Sequence, residues 1–152
     1  PSDLNQCVDS TASIVWTMMR HSVVLEKDYA DLPSVRCNPM QLKQVVMNLL
    51  VNAYHAIEAK IGDSGELGQI VVRTREASGG VEVSIEDSGI GIAPADRDRI
   101  FDPFFTTKKV GEGTGLGLGI AHQIIRAHGG DISVTSEPGS GAVFTVRLPI
   151  GG

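Results

Sequence analysis

Two glycine-rich segments enclose a phenylalanine-rich loop in the middle of the chain, and the other elements are interpreted around them. Asp87–Ile92 reads DSGIGI, and Gly111–Gly119 reads GEGTGLGLG. Between them, Phe101–Lys108 reads FDPFFTTK and carries three of the chain's 4 phenylalanines. Because glycine adopts positive φ and lets the backbone approach a ligand closely, the arrangement predicts a ligand pocket with a movable cover.

The spacing of apolar residues before and after these segments predicts a series of helices and strands within one domain, residues 1–152. Helices are expected at 4–20, 40–59, 94–100 and 114–128, and strands at 22–29, 69–75, 81–86, 131–136 and 142–149. The element order indicates an α+β, two-layer α/β sandwich with its helices on one sheet face. Trp16, Met18 and Met19 are expected in the core.

The longest predicted helix follows an Asn38-Pro39 start and carries two distinct faces. One face is apolar and consists of Leu42, Val45, Val46, Leu49, Leu50, Ala53 and Ile57. The other face is polar and uncharged, with Gln41, Gln44, Asn48, Asn52 and His55 at a spacing of three or four. A solvated helix face normally mixes charges. The pattern alone supports a lined site and an ordinary polar surface about equally.

Composition excludes several functional classes. The formal net charge of −5 and the pI of about 5.3 argue against nucleic-acid binding and against direct contact with an anionic membrane. No apolar run reaches the roughly 18 residues of a membrane span, and no secretory signal is visible, so a cytoplasmic domain is expected. The first residue is Pro1 rather than Met, which is typical of a fragment of a longer protein that can itself be membrane-anchored.

Cys7 and Cys37 lack metal-ligand spacing and are expected to be buried free thiols.

Known motifs narrow the choice of ligand. The sequence contains no GxGxxG, Walker, HExxH or GxSxG motif, so Rossmann, P-loop, zinc-protease and serine-hydrolase sites are unsupported. The helix that opens at Gly113-Thr114-Gly115 presents free N–H groups, which attract phosphate. Asparagine oxygens suit Mg²⁺ bound to substrate phosphates. Asp87, at the end of an apolar strand, needs a hydrogen-bond donor, for which the adenine amine is one candidate.

Four segments in order resemble the N, G1, F and G2 boxes of sensor histidine kinases. These are NLLVNA at 48–53, DSGIG at 87–91, FDPFF at 101–105 and GTGLGL at 113–118. The resemblance implies a catalytic ATP-binding domain with the Bergerat fold, a mixed five-stranded sheet backed by three helices, and a mobile ATP lid at about 93–114. It also implies that the dimerisation and phosphoacceptor domain is absent from this chain.

The resemblance also implies residue roles. Asp87 would bind the adenine amine, Asn48 and Asn52 would hold Mg²⁺ and phosphate, Lys108 would meet the γ-phosphate, and Thr145 would lie near the base. His55 is either a weak phosphate contact or a polar surface residue. The remaining ATP-binding positions are Gly89, Gly91, Ile92, Phe101, Gly113, Thr114, Gly115, Leu116, Gly117 and Leu118.

One position separates the subfamilies. ATPases and serine-directed kinases of this superfamily carry a glutamate as general base where this chain has Asn48, and an amide cannot accept the proton. The resemblance therefore favours transfer of the γ-phosphate of ATP to a histidine. A non-catalytic nucleotide-binding or docking module and a self-sufficient ATPase of the same superfamily are the alternatives.

The expected partners follow from what the chain lacks. In the family the acceptor histidine is followed by an acid and lies in a helical hairpin, whereas His21 is followed by Ser22-Val23-Val24. The hairpin would come from the same protein or its dimer mate, and a response regulator would act downstream. Phe101, Phe104 and Phe105 either pack the lid onto the core or dock the hairpin. A mixed use is favoured, in which Phe101 points inward.

Overall fold

The computed structural model describes residues 3–33, 35, 37–62, 66–77, 79–92, 117–137 and 140–149. Within them lie three helices and five strands, close to the predicted ranges. The helices are α1 (Leu4–Met19), α2 (Pro39–Ile61) and α3 (Gly117–Ala127). The strands are β1 (Val23–Tyr29), β2 (Gly68–Ala77), β3 (Gly80–Asp87), β4 (Asp131–Glu137) and β5 (Gly141–Pro149). The helix expected at 94–100 lies outside the described residues.

The strands form one mixed sheet in the order β1-β2-β3-β5-β4. β1 pairs with β2 in parallel, and the remaining neighbours are antiparallel. The register places Asp87 opposite both Ile70 and Ala142, at the same end of the sheet. The predicted mixed five-stranded sheet is therefore confirmed.

Local sequence signals fix the ends of the helices. The Asn38 side chain accepts hydrogen bonds from the N–H groups of Met40 and Gln41, at 3.1 and 3.2 Å, and so caps α2. At the end of α3 the chain turns at Gly129, whose φ of 81° suits glycine. The N–H of Gly130 then donates to the carbonyl of Ile125 at 2.9 Å, which closes the last turn of α3.

The core lies between the helices and one face of the sheet. The buried side of α2 matches the predicted apolar face, and it consists of Leu42, Val45, Val46, Leu49, Leu50, Ala53 and Ile57. From the sheet, Ile85 and Phe144 are almost fully buried against them. No described helix is both long and apolar enough to cross a membrane.

Three expectations about burial need correction, those for Trp16, Met18 and Cys37. Trp16 and Met18 are 38% and 63% exposed rather than in the core. Their apolar spacing suited a helix, but only part of the circumference of α1 is covered, and these two side chains lie outside the covered part. The side chain of Met19 lies outside what the structure describes. Cys7 and Cys37 are free thiols as predicted, although Cys37 is only half-buried.

Candidate functional site

The strongest chemical signal in the described residues is the carboxyl group of Asp87, at the end of β3. Asp87 is 3% exposed, and its Oδ1 accepts a hydrogen bond of 2.8 Å from the N–H of Gly89. Its Oδ2 is buried and has no hydrogen-bond partner among the described residues. Burial raises the pKa of Asp87 to about 6, although the N–H groups of Gly89 and Ala142 act to lower that pKa. A buried acceptor without a donor is costly, so Oδ2 is suited to receive a donor from a ligand.

The turn after Asp87 is pressed against helix α2. The N–H of Ile90 donates to the carbonyl of Ala56 at 3.2 Å. A Cβ on Gly89 would lie 2.6 Å from the carbonyl carbon of Ala56, so only glycine fits at this contact. Gly91 has φ of 76°, a conformation that favours glycine. Both glycines of the first segment therefore have a structural cause, and they place the Asp87 carboxyl beside α2.

The polar stripe of α2 runs away from this contact along the helix. Asn52 is one turn before Ala56 and Asn48 is two turns before it, which corresponds to about 6 and 12 Å along the axis. Asn48, Asn52 and His55 are half-buried, whereas Gln41 and Gln44 are exposed. Only the half of the stripe nearest Asp87 is thus partly enclosed, as a lined site requires.

Helix α3 packs against α2, and its described N-terminal end is Gly117. At its other end, Nε2 of His128 accepts a hydrogen bond of 3.1 Å from the N–H of Asn38, where α2 begins. Since α2 and α3 pack against each other and meet at these opposite ends, they run in roughly opposite directions. The 11 described residues of α3 span about 16 Å, so Gly117 lies well away from the beginning of α2. The N-terminus of a helix that faces a site favours anions.

These contacts bring part of the predicted site together. The turn that follows Asp87 contains Gly89, Gly91 and Ile92. It contacts α2 at Ala56, and the half-buried polar side chains lie on the preceding turns of that helix. Leu118, just after Gly117, is partly buried against the core. Other predicted site residues lie outside the described residues, and their roles stay predictions: Phe101, Phe104, Phe105, Lys108, Gly113, Thr114, Gly115 and Leu116.

The expected position of Thr145 near the base is wrong. Thr145 pairs with Ser84 and Ser133, whereas Asp87 pairs with Ala142. Side chains alternate between the two faces of a strand, so Thr145 lies on the outer face of the sheet, opposite to the helices. The β5 residue beside Asp87 on the inner face is Ala142.

Two contacts of the site were not predicted from the sequence. Ala56 meets the glycine turn through its backbone, which leaves no signal in the side-chain pattern. Ser136 binds the N–H of Ile92 through its hydroxyl at 2.7 Å. The sequence did contain a signal for Ser136. It follows Ile132 and Val134 at the inward positions of β4, where the alternating pattern predicts an apolar residue and the chain has a polar one.

The described residues contain no group of three His, Cys, Asp or Glu side chains that could hold a metal ion. Asn48 and Asn52 provide neutral oxygens, which fit a Mg²⁺ ion that takes its other ligands from phosphates and water. A separate surface depression, lined in part by Trp16, Val24 and Leu67, includes neither the asparagines nor Asp87.

Comparisons with known proteins agree with this arrangement. Residues 37–152 match the family described as histidine kinase-, DNA gyrase B-, and HSP90-like ATPase. The sensor histidine kinase ZraS of Escherichia coli K12 is 46% identical over 119 residues, covering 78% of this chain and 24% of that protein. The signal transduction histidine-protein kinase AtoS of the same strain is 43% identical over 151 residues, covering 97% of this chain and 23% of that protein.

Solved structures confirm the predicted fold. The catalytic domain of histidine kinase ThkA has a TM-score of 0.81 at 32% identity, covering 98% of this chain and 93% of that one. Full-length ShkA, solved in complex with AMPPNP, has a TM-score of 0.82 at 27% identity, covering 99% of this chain and 30% of that one.

The chain spans about a quarter of the length of the curated relatives that it matches, at 24% and 23%. The family match nevertheless extends over most of the chain, from residue 37 to residue 152. This chain therefore belongs to the histidine kinase-, DNA gyrase B-, and HSP90-like ATPase family.

Proposed function

We propose that this chain binds Mg-ATP and donates the γ-phosphate to a histidine on a separate helical-hairpin domain, in two-component signal transduction. The observation that carries the proposal is the buried Oδ2 of Asp87 beside helix α2, which has no hydrogen-bond partner within the described part of the chain. The relatives ZraS and AtoS are named as histidine kinases, which supports transfer to a histidine.

Base recognition would rest on the acceptor character of Asp87. With Oδ1 occupied by the Gly89 N–H, Oδ2 is left to accept a hydrogen bond from an exocyclic amine. Adenine offers that amine, whereas guanine presents a carbonyl oxygen at the corresponding ring position. Two facing acceptors would leave buried polar atoms unpaired, which sites of this kind reject strongly. Adenine is therefore the preferred base.

The half-buried polar side chains of α2 and the N-terminus of α3 would bind the phosphates of ATP. Asn48 and Asn52 lie between the contact at Ala56 and the beginning of α2. We propose that a nucleotide bound at Asp87 extends along α2 toward its beginning, past Asn52 and then Asn48. Their amide oxygens would hold Mg²⁺, which neutralises phosphate charge when bound. His55, half-buried on the same stripe, would contribute a polar contact to the phosphates.

The identity of Asn48 bears on the acceptor. Attack by water or by a serine hydroxyl needs a base to remove a proton, and Asn48 cannot serve as one. A neutral imidazole attacks through a free lone pair. Positioning and charge neutralisation, which this site would supply, are the main requirements of phosphoryl transfer.

The deciding experiment mixes the protein with an isolated helical-hairpin domain of a sensor histidine kinase, Mg²⁺ and γ-labelled ATP. We expect acid-labile, base-stable phosphohistidine on the hairpin and none on this chain alone. Asp87→Asn should abolish the transfer, while Asp28→Asn, the same change at an exposed position of β1, should leave it intact.

Other results of this experiment would support the alternatives. ATP binding without transfer to any tested hairpin, across several cognate pairs, would favour a nucleotide-binding or docking module. Steady phosphate release by this chain alone would favour a self-sufficient ATPase. Failure of the wild-type protein to bind ATP would refute the proposed function altogether.

A further inference from the structure

Ser136 is a buried hydroxyl that belongs to none of the four family boxes. It lies on the inner face of β4, opposite Ala142, and is 8% exposed. Its Oγ accepts a hydrogen bond of 2.7 Å from the N–H of Ile92 and donates one of 2.9 Å to the carbonyl of Gly141. A serine hydroxyl has one donor and two acceptor sites, so both bonds form simultaneously.

The bond to Ile92 fixes the far end of the turn that begins at Asp87. Earlier residues of this turn are held by other elements: Ser88 by Gln69, at 3.1 Å, and Ile90 by Ala56, at 3.2 Å. Ile92 itself is partly buried against the core. Ser136, 44 residues away in sequence, thereby sets the position at which Ile92 leaves the turn.

The bond to Gly141 links the same hydroxyl to the near end of the turn. Gly141 has φ of 94°, and a Cβ there would lie 2.0 Å from the carbonyl oxygen of Asp87. The start of β5 is therefore in tight contact with the end of β3. Through Gly141 and Ile92, one hydroxyl holds both ends of the turn from Asp87 to Ile92.

We propose that Ser136 is a positioning residue for nucleotide binding, which holds Ile92 at a fixed distance from the Asp87 carboxyl and so sets the shape of the base pocket. This inference rests on the proposed function, since it assumes that the pocket takes ATP. Ser136 acts through Ile92 and does not itself touch the nucleotide.

The test compares Mg-ATP affinity, by isothermal titration calorimetry, in the wild type and in Ser136→Ala, Ser136→Thr and Ser136→Val. Removing the hydroxyl leaves the Ile92 N–H without its acceptor, and we expect Ser136→Ala to lose about tenfold in affinity. Threonine should restore affinity to within about threefold of wild type, because it keeps the hydroxyl. Ser133→Ala, at an outward position of the same strand, should bind ATP as the wild type does.

A second readout separates positioning from general stability. Amide hydrogen exchange of Ile92, measured by NMR on the nucleotide-free protein, should accelerate in the alanine and valine variants and stay slow in the threonine variant. Exchange in the centre of β3 should be unchanged in all of them. Valine carries a methyl group where threonine carries the hydroxyl, so the comparison of these two variants isolates the hydroxyl without the change in side-chain size that alanine brings.

Each outcome decides the question. Wild-type affinity in a folded Ser136→Ala or Ser136→Val variant would overturn the positioning role while leaving the proposed function in place. Unfolding of every variant that lacks the hydroxyl would make the role structural and would overturn it too. A wild-type protein that does not bind ATP would remove the proposed function, and the inference with it.

Discussion

The Asp87 carboxyl shows a conflict between stability and binding within one residue. A buried carboxylate with an unpartnered oxygen destabilises the fold in its charged form, and burial accordingly raises its pKa to about 6. Such perturbed groups cluster at functional sites. The folded state holds the proton more tightly than the unfolded chain, so Asp87 makes the fold less stable as pH rises from about 4 to about 6.

Asp87→Asn should therefore separate the two properties. The neutral amide removes the buried charge, so at pH 8 the variant should be at least as stable as the wild type by urea unfolding. Between pH 4 and 6 the wild type should lose on the order of 2 kcal/mol relative to the variant. ATP affinity should fall by at least about tenfold, because the amide N–H₂ would face the adenine amine.

Asp28→Asn controls for the change in net charge, since Asp28 is exposed. It should alter neither the pH profile nor the affinity. A variant at position 87 that loses stability at pH 8 together with ATP binding would contradict this account, because Asp87 would then be acting as a structural residue.

The amide of Asn48 bears on whether water can attack the nucleotide. Asn48→Glu places a carboxylate where a general base is needed for attack by water, on the same half-buried turn of α2. General bases contribute about 10²–10⁴-fold to rates, and we expect phosphate release from Mg-ATP by this chain alone to rise at least about tenfold. Asn48→Gln, which keeps the amide, is the matched control. An equal rise in both variants would show that disturbance of the site, rather than a base, causes the release.

At the scale of single elements, helix α2 was predicted most completely. Asn38 and Pro39 marked its start, and all seven residues of the predicted apolar face are buried. These features depend on short-range spacing, which the sequence displays directly. Trp16 on α1, which was expected in the core and is partly exposed, shows what such spacing does not predict. Periodicity identifies a helix but does not state how much of its circumference another element will cover.

The start of α2 offers a test of its cap. Asn38→Ala removes the side-chain oxygen that accepts from the N–H groups of Met40 and Gln41, and should destabilise the protein by about 1 kcal/mol. Asn38→Asp should stay close to wild type, since aspartate caps equally well and its charge favours a helix N-terminus. Urea unfolding measures both, with the exposed Gln44→Ala as control. A loss in the aspartate variant as large as in the alanine variant would indicate that the cap is not the cause.

At the scale of the whole molecule, the predictions that failed are those that depend on register between distant segments. Thr145 was assigned to the site, but the pairing of β5 with β3 places it on the outer face. Ser136 was missed, although it contacts Ile92 across 44 residues. A shift of one residue in a strand exchanges its two faces, and the hydrophobic pattern of a single strand does not state which partner lies opposite. Local motifs were enough to predict the fold and to select Asp87 and the asparagines as candidates, whereas the residues that surround them required the assembled sheet.

Ligand linkage tests the assembled site as a unit. A ligand that binds only the folded state stabilises it by about 2.7 kcal/mol at a concentration one hundred times its Kd. For a domain of this size, that free energy raises Tm by about 5–10 °C. We expect Mg-ATP to produce such a shift by differential scanning calorimetry, Mg-GTP to produce much less, and ATP with a chelator to fall between them. Asp87→Asn should abolish the shift although its own Tm is not lowered. A full shift in that variant would place the nucleotide elsewhere on the molecule, because a base held by Asp87 cannot stabilise a protein that lacks the acceptor.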